Sequence, residues 1–396
     1  MEYVLSDRIA SVKPSAIREI FKLAADPRVI AFSAGNPAKE AFPVEAVRKW
    51  TADILENDPI GALQYSVNDG DPRLRTRLKE FLKEKYNVGT EDDDIIITTG
   101  AEAGLDMITK LLCNEGDKIL CEAPSFVGAL NTFRSYRTEL VGVEMEQDGI
   151  DLQKLEETLR QHDNIKFMYL IPNFQNPSGI TMSFEKRKAV LALSVKYNVP
   201  IVEDNPYGDL RFVGEAVPAI KSMDTTGNVI YVGSFSKVLS PGLRVGYLCA
   251  PKALMPKLTV AKQCTDVHTP ILNQMICYKF LTEFDFDAHV ARCSEIYKHK
   301  CGLMIEGIER HFSKKVQFTR PEGGLFLWCT LPEGADLQGF CKEAINRGVA
   351  VVPGNAFLMN DSDPSTSFRL NYSTLPDEKI VKGIELLGEL TREWFD

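Results

Sequence analysis

The 396-residue chain reads as an α/β protein, with a large domain on a mainly parallel, seven-stranded sheet and a smaller α+β domain toward the C-terminus. Three observations predict this. The length exceeds what one hydrophobic core ordinarily serves, so a division is expected. Seven short apolar runs, from DIIITTG to RVGYLCA, are mostly separated by helical patterns, as in parallel sheets covered on both faces. From about residue 290 that alternation gives way to helices mixed with shorter strands.

Residues 1–45 combine a helical pattern around SAIREIFKLAA with the Gly/Pro-rich stretch FSAGNPAKEAFP, which cannot continue a helix; an arm and loop are expected there, contributing to the small domain and the active site. The large domain is expected over 46–290. Within it, helix RLRTRLKEFLKEKY leads to strand DIIITTG, helix AEAGLDMITKLLC to strand DKILCEAP, and the segment VGALNTFRSY to strand ELVGVEM. Four further runs follow: KFMYLIP, VPIVED, NVIYVGS and RVGYLCA. Residues 291–396 hold the GGLFLWCTL, VAVVPG and SFRLNYS strands and a final helix, expected to form a compact unit closing over the site.

Composition narrows the function classes. Hydrophobic residues make up 44% and charged ones 26%, and no run approaches the roughly 18 apolar residues of a membrane span. The N-terminal stretch MEYVLSDRIASVKPSAIREIF lacks an apolar core closed by small residues, so a cytoplasmic location is expected. The nine cysteines never adopt CxxC spacing, which argues for reduced thiols rather than disulfides or a metal site. A net charge of -9, with lysines and arginines scattered rather than striped, makes nucleic acid an unexpected partner.

In open α/β sheets ligands bind beyond the carboxyl ends of the strands, so residues just after the apolar runs form one candidate site. The segment GSFSKVLSPGLRVG (233–246) places Ser234, Ser236, Lys237 and Arg244 there. Hydroxyls, free backbone N–H groups and a guanidinium suit a phosphate monoester, and a desolvated lysine beside them can attack a carbonyl. Phosphate and aldehyde on one molecule point to pyridoxal phosphate. Asp204 ends VPIVED, where a buried carboxylate needs a partner such as a protonated pyridine nitrogen; Tyr207 and Asn176 can reach a ring hydroxyl, and Asn176 alternatively a substrate carboxylate. Phe126 offers a stacking face, and the helix opening at Gly100, Ala101 and Glu102 offers backbone N–H groups to phosphate. Arg369, in SFRLNYS, can grip a carboxylate bidentately. Taken singly each segment has a blander account: a polar turn, a capping Asp or Asn, a core aromatic, a rim salt bridge. The weight lies in five strand ends supplying complementary groups together.

Taken in order, LQYS (63–66), ITTG (97–100), IPNFQNPSG (171–179), GSFSKVLSPGLRVG (233–246), HTPILNQM (268–275), RPEGGLFLW (320–328) and FRLNYS (368–373) resemble the class I/II aminotransferases of pyridoxal phosphate fold type I. The resemblance is to the 2-aminoadipate and kynurenine aminotransferase group and covers about SAIRE (15–19) to the end. It implies that Lys237 is the Schiff-base lysine and proton shuttle, Asp204 the pyridine partner, and Tyr207 and Asn176 the ring-hydroxyl donors. Ser234, Ser236 and Arg244 would bind phosphate, Phe126 would stack, Arg369 would hold the substrate carboxylate, and Gly35 would lie against the substrate. Tyr65 would reach the phosphate of a partner subunit, making the enzyme a homodimer with shared sites. Arg18 matches a position where aminoadipate-type relatives recognise an acidic side chain, though an exposed helix arginine paired to an acid serves as well. Amino acids and 2-oxo acids are the implied substrates, exchanged by ping-pong kinetics, with 2-oxoglutarate as the acidic acceptor and 2-aminoadipate, aromatic or branched-chain amino acids as donors.

Three positions depart from the pattern. Relatives often carry a hydroxyl and an amide after the glycine of ITTG, whereas Ala101 and Glu102 follow here, removing a side-chain phosphate donor and placing an acid nearby. Phe126 likewise replaces a frequent tyrosine. A C–S β-lyase or decarboxylase on the same cofactor, or a pyridoxal phosphate-binding sensor domain of a transcription regulator, remain alternatives.

Overall fold

The computed structural model describes residues 3–10, 12 and 28–396. Arg18 lies outside them.

The seven apolar runs form one sheet, in the spatial order Asp93–Thr98, Gly246–Pro251, Val229–Ser234, Ile201–Asp204, Ile165–Leu170, Lys118–Ala123, Glu139–Glu146, with an eighth, two-residue strand, Gly149–Ile150, at the far edge. That short strand was not expected; a tight return after Glu146, with Gly149 at φ 120°, lets the chain fold back antiparallel. Gly246–Pro251 runs antiparallel to both neighbours, and the other ladders among the seven are parallel. The central strands bury both faces, which is why VIYVGS reads as a continuous apolar run and not as an alternation. Consequently Thr98, Ala123, Leu170, Asp204 and Ser234 end at the same border of the sheet.

Helix Pro72–Tyr86 shows how local chemistry sets an element. Asp71 caps it by accepting from Arg73 N–H at 2.8 Å, Pro72 occupies the first turn, and Asn87 at φ 53° ends it. Leu74, Leu78 and Leu82, spaced four apart, are buried on one face, each contributing about 1.5–3 kcal/mol of burial.

Beyond the large sheet, a four-stranded antiparallel sheet has the order Gln317–Phe318, Phe326–Thr330, Ser367–Asn371, Val352–Pro353. The expected VAVVPG strand divides: Val349–Ala350 pairs in parallel with Ile30–Ala31, while Val352–Pro353 joins the four-stranded sheet. The N-terminal segment is thereby tied to the C-terminal one. Helix Phe286–His311 runs unbroken through residue 290 and packs against Asp377–Phe395. No helix among the described residues is long and apolar enough to cross a membrane.

Candidate active site

A cavity of about 410 Å³ opens where the strand ends meet the C-terminal sheet. Its walls bring together Gly35, Ala101, Glu102, Phe126, Asn176, Asp204, Tyr207, Ser234, Ser236, Lys237, Arg244 and Arg369. Gly100 stands immediately behind Ala101 as the helix N-cap. Tyr65 does not line this cavity: it is 82% exposed and meets His268 edge-on. A larger cavity of about 730 Å³ beside helix Pro72–Tyr86 is lined by ordinary surface charges such as Arg75, Lys79 and Glu80; chemistry, not volume, selects the site.

Asp204 is the last residue of its strand, and its carboxylate is buried. Oδ2 accepts a hydrogen bond from the Tyr169 hydroxyl at 2.7 Å, whereas Oδ1 has no partner among the described residues. A buried carboxylate oxygen without a donor is costly unless a ligand supplies one. Burial raises the Asp204 carboxyl to about 7 against the opposing Tyr169 hydrogen bond, and nearby Glu102 adds to the rise. The environment is therefore short of one positive partner.

Lys237 shares the cavity with two arginines, Arg244 and Arg369. Burial first, then Arg369 and Arg244, push its ammonium down to about 8, so the free amine is far more accessible near neutrality than for an ordinary lysine. Its Nζ donates to the Gly35 carbonyl at 2.9 Å and lies 5.8 Å from the Tyr207 ring centre. Burial also holds the Tyr207 phenol well above its ordinary range, so the hydroxyl keeps its proton.

On the opposite wall, Arg369 Nη1 donates to Asn176 Oδ1 at 2.8 Å and Nη2 to the Ser33 carbonyl at 2.8 Å, while buried Nε has no partner among the described residues. Asn176 thereby turns its oxygen to the arginine, leaving its NH₂ as the donating end. The guanidinium is held 4.3 Å from the Phe326 ring centre and 5.0 Å from that of Phe357. Burial lowers it to about 10.

The remaining groups make an anion cradle. Gly100 adopts φ 81°, and a Cβ there would fall 2.4 Å from Arg244 Nη2, so only glycine admits the guanidinium so close to the start of helix Ala101–Leu112. Ser234 Oγ accepts from Ser236 N–H at 3.1 Å and donates to Ser236 Oγ at 2.9 Å, which sets both hydroxyls at one turn.

Sequence reasoning missed three participants. Tyr169 reads as core within KFMYLIP, and Phe326 as one of several apolar residues in GGLFLWCTL. Thr132, which donates to Glu102 Oε1 at 2.5 Å, carries no local signal. Only Tyr169 was detectable in principle, since a tyrosine buried on a strand beside a carboxylate-ending strand needs a hydroxyl partner.

The sequence model of aminotransferase class I and II matches residues 27–387. The chain belongs to this family. It is 40% identical to the aromatic-amino-acid aminotransferase 1 of Thermococcus litoralis, over 99% of this chain and 95% of that one. The crystal structure of a multiple substrate aminotransferase from Thermococcus profundus superposes with a TM-score of 0.95 at 37% identity, covering 98% of this chain and 97% of that one. That of the alpha-aminoadipate aminotransferase from Thermus thermophilus, complexed with N-(5'-phosphopyridoxyl)-L-leucine, gives 0.90 at 35% identity, covering 98% and 97%. The aminotransferase is a pyridoxal phosphate-dependent enzyme of fold type I. The cavity fits that cofactor: the unpartnered Asp204 Oδ1 suits a protonated ring nitrogen, and the cradle at Gly100 and Arg244 suits a phosphate.

Proposed function

We propose that this aminotransferase exchanges amino groups between 2-oxoglutarate and amino acids of the 2-aminoadipate, aromatic or branched-chain type. The observation that carries the reading is the convergence of Lys237, Asp204 and Arg369 on one cavity. Relatives named for aromatic amino acids and for alpha-aminoadipate support the donor range.

In this reading Asp204 pairs with the ring nitrogen, Tyr207 and Asn176 donate toward the ring hydroxyl, and Phe126 covers the ring face. Ser234, Ser236, Arg244 and the N–H groups following Gly100 hold the phosphate. Bound pyridoxal phosphate supplies a protonated ring that accepts the electron pair left when the substrate α-carbon loses its proton. Lys237 Nζ takes that proton. Arg369 grips the α-carboxylate, and Gly35 lies against the bound amino acid. Residues 1–45 act as an arm, 46–290 as the cofactor-binding domain and 291–396 as the closing domain.

Half-reactions test this. Mixing holoenzyme with single amino acids should bleach the bound cofactor's visible band and release the matching 2-oxo acid, and 2-oxoglutarate should restore it. Formation of pyruvate and ammonia instead would assign β-elimination and sink the proposal. Acidic-substrate recognition is proposed for Arg18: Arg18→Ala should lower kcat/KM for glutamate and 2-aminoadipate at least about tenfold, and an equal loss for leucine removes that role.

A homodimer completes the site. Ile60, Leu63, Tyr65 and Val67 are exposed along one segment, an apolar surface that a second copy would cover, with Tyr65 reaching the partner's phosphate. Tyr65→Phe should raise the cofactor dissociation constant by about tenfold, the worth of one hydrogen bond to a charged group. Light scattering should still give twice the chain mass. A monomer with undiminished cofactor affinity contradicts this arrangement.

A further inference from the structure

Glu102 lines the cavity with a carboxyl side chain that the proposed chemistry does not use. It stands in the first turn of helix Ala101–Leu112, on the cavity wall beside Phe126. Oε1 accepts from the Thr132 hydroxyl at 2.5 Å, and a Cβ added to Gly128 would fall 2.9 Å from Oε2, so both oxygens lie against helix Val127–Ser135. The same carboxyl interacts electrostatically with Arg244 and with Asp204 and Tyr169.

We propose that Glu102 takes up a proton when the cofactor phosphate binds, so that retention of the phosphate weakens as pH rises through the titration of this side chain. The inference rests on the cofactor placement above. The charged and titratable groups facing Glu102 are Arg244, from the loop after Pro241–Leu243; Asp106, one turn along its own helix; and Asp204 and Tyr169, from two neighbouring strands. Burial raises the Glu102 carboxyl above the ordinary range, Thr132 and Arg244 oppose the rise, and Asp106 adds to it. Tyr169, raised by burial, stays neutral throughout and contributes no charge.

A cofactor acts on the two carboxyls in opposite senses. Its ring cation stabilises the Asp204 carboxylate. Its phosphate dianion competes for Arg244 and for the helix N-terminus, the two features that favour ionised Glu102, and adds like charge beside it. Two acids in electrostatic contact are thus driven apart, Asp204 toward the anion and Glu102 toward the neutral acid. Where the bound state holds Glu102 protonated at a pH at which the free state does not, binding takes up a proton, and affinity falls as pH rises across that interval.

The test uses pyridoxamine phosphate, which cannot form an imine with Lys237, titrated calorimetrically into apo-protein across the full pH range in which the protein stays folded, in two buffers of different ionisation enthalpy. The ligand's own ionisations are common to wild type and Glu102→Gln, so the ratio of their dissociation constants isolates Glu102. That ratio should be flat at low pH and then climb by up to about tenfold per pH unit, with wild type taking up as much as one proton more per site. Thr132→Val, which removes a donor to the carboxylate, should move the onset to higher pH. Superimposable wild-type and Glu102→Gln profiles, or an onset unmoved by Thr132→Val, overturn this inference while leaving the cofactor site standing. Failure of wild type to bind pyridoxamine phosphate at all overturns the cofactor placement itself.

Discussion

Replacing Lys237 with alanine is expected to lower kcat for amino transfer by about 10⁴-fold, the upper range for loss of a positioned acid–base group. No other lysine among the described residues lines the cavity. The neighbouring cations, Arg244 and Arg369, cannot substitute, because a guanidinium stays charged across the working range and offers no free amine. Lys237 differs because burial and those two arginines bring it to about 8. Borohydride treatment of holoenzyme should fix the cofactor to the peptide containing Lys237, and Lys237→Ala should take up no label. Label on another lysine, or activity within about tenfold of wild type, would overturn the assignment.

The second large effect is expected at Arg369. Arg369→Ala should reduce kcat/KM by about 10²- to 10⁴-fold, since each hydrogen bond to a charged group is worth about 1.5–3 kcal/mol and a carboxylate held bidentately makes two. Asn176 and Ser33 fix the outer nitrogens, the Phe326 and Phe357 rings hold the plane, and Nε is left without an acceptor among the described residues. Burial without a carboxylate lowers the guanidinium to about 10, so an incoming anion restores a missing partner. Because every amino acid carries an α-carboxylate, the loss should be shared by acidic, aromatic and branched substrates alike. Arg369→Lys should recover only part of it, as an ammonium keeps the charge but not the fork. A loss confined to acidic substrates would move Arg369 from the α-carboxylate to the side-chain pocket.

Much of the fold was legible because strands buried on both faces leave an unbroken apolar signature. The antiparallel course of Gly246–Pro251 was not, since RVGYLCA reads the same in either direction. The division of VAVVPG was equally silent: Val349–Ala350 and Val352–Pro353 differ only in which partner strand arrives beside them. The same contrast runs through the site. Lys237, Asp204, Asn176 and Phe126 each follow or close an apolar run, so their place at the sheet border came from strand ends alone. How those side chains are held did not.

What the chain's residue order determined by itself is which chemical groups end each strand, because a strand's length and burial are written in its own apolar run. What only the tertiary structure decided is how those groups pair: Tyr169 with Asp204, 35 residues apart, Thr132 with Glu102, 30 apart, and Arg369 with Asn176, 193 apart. Those pairings depend on which neighbour is packed alongside, and short-range periodicity holds no information about neighbours that distant in the chain. The oxygen of Asp204 and the nitrogen of Arg369 left without partners among the described residues are likewise properties of the packed state, because their burial comes from segments distant in the chain.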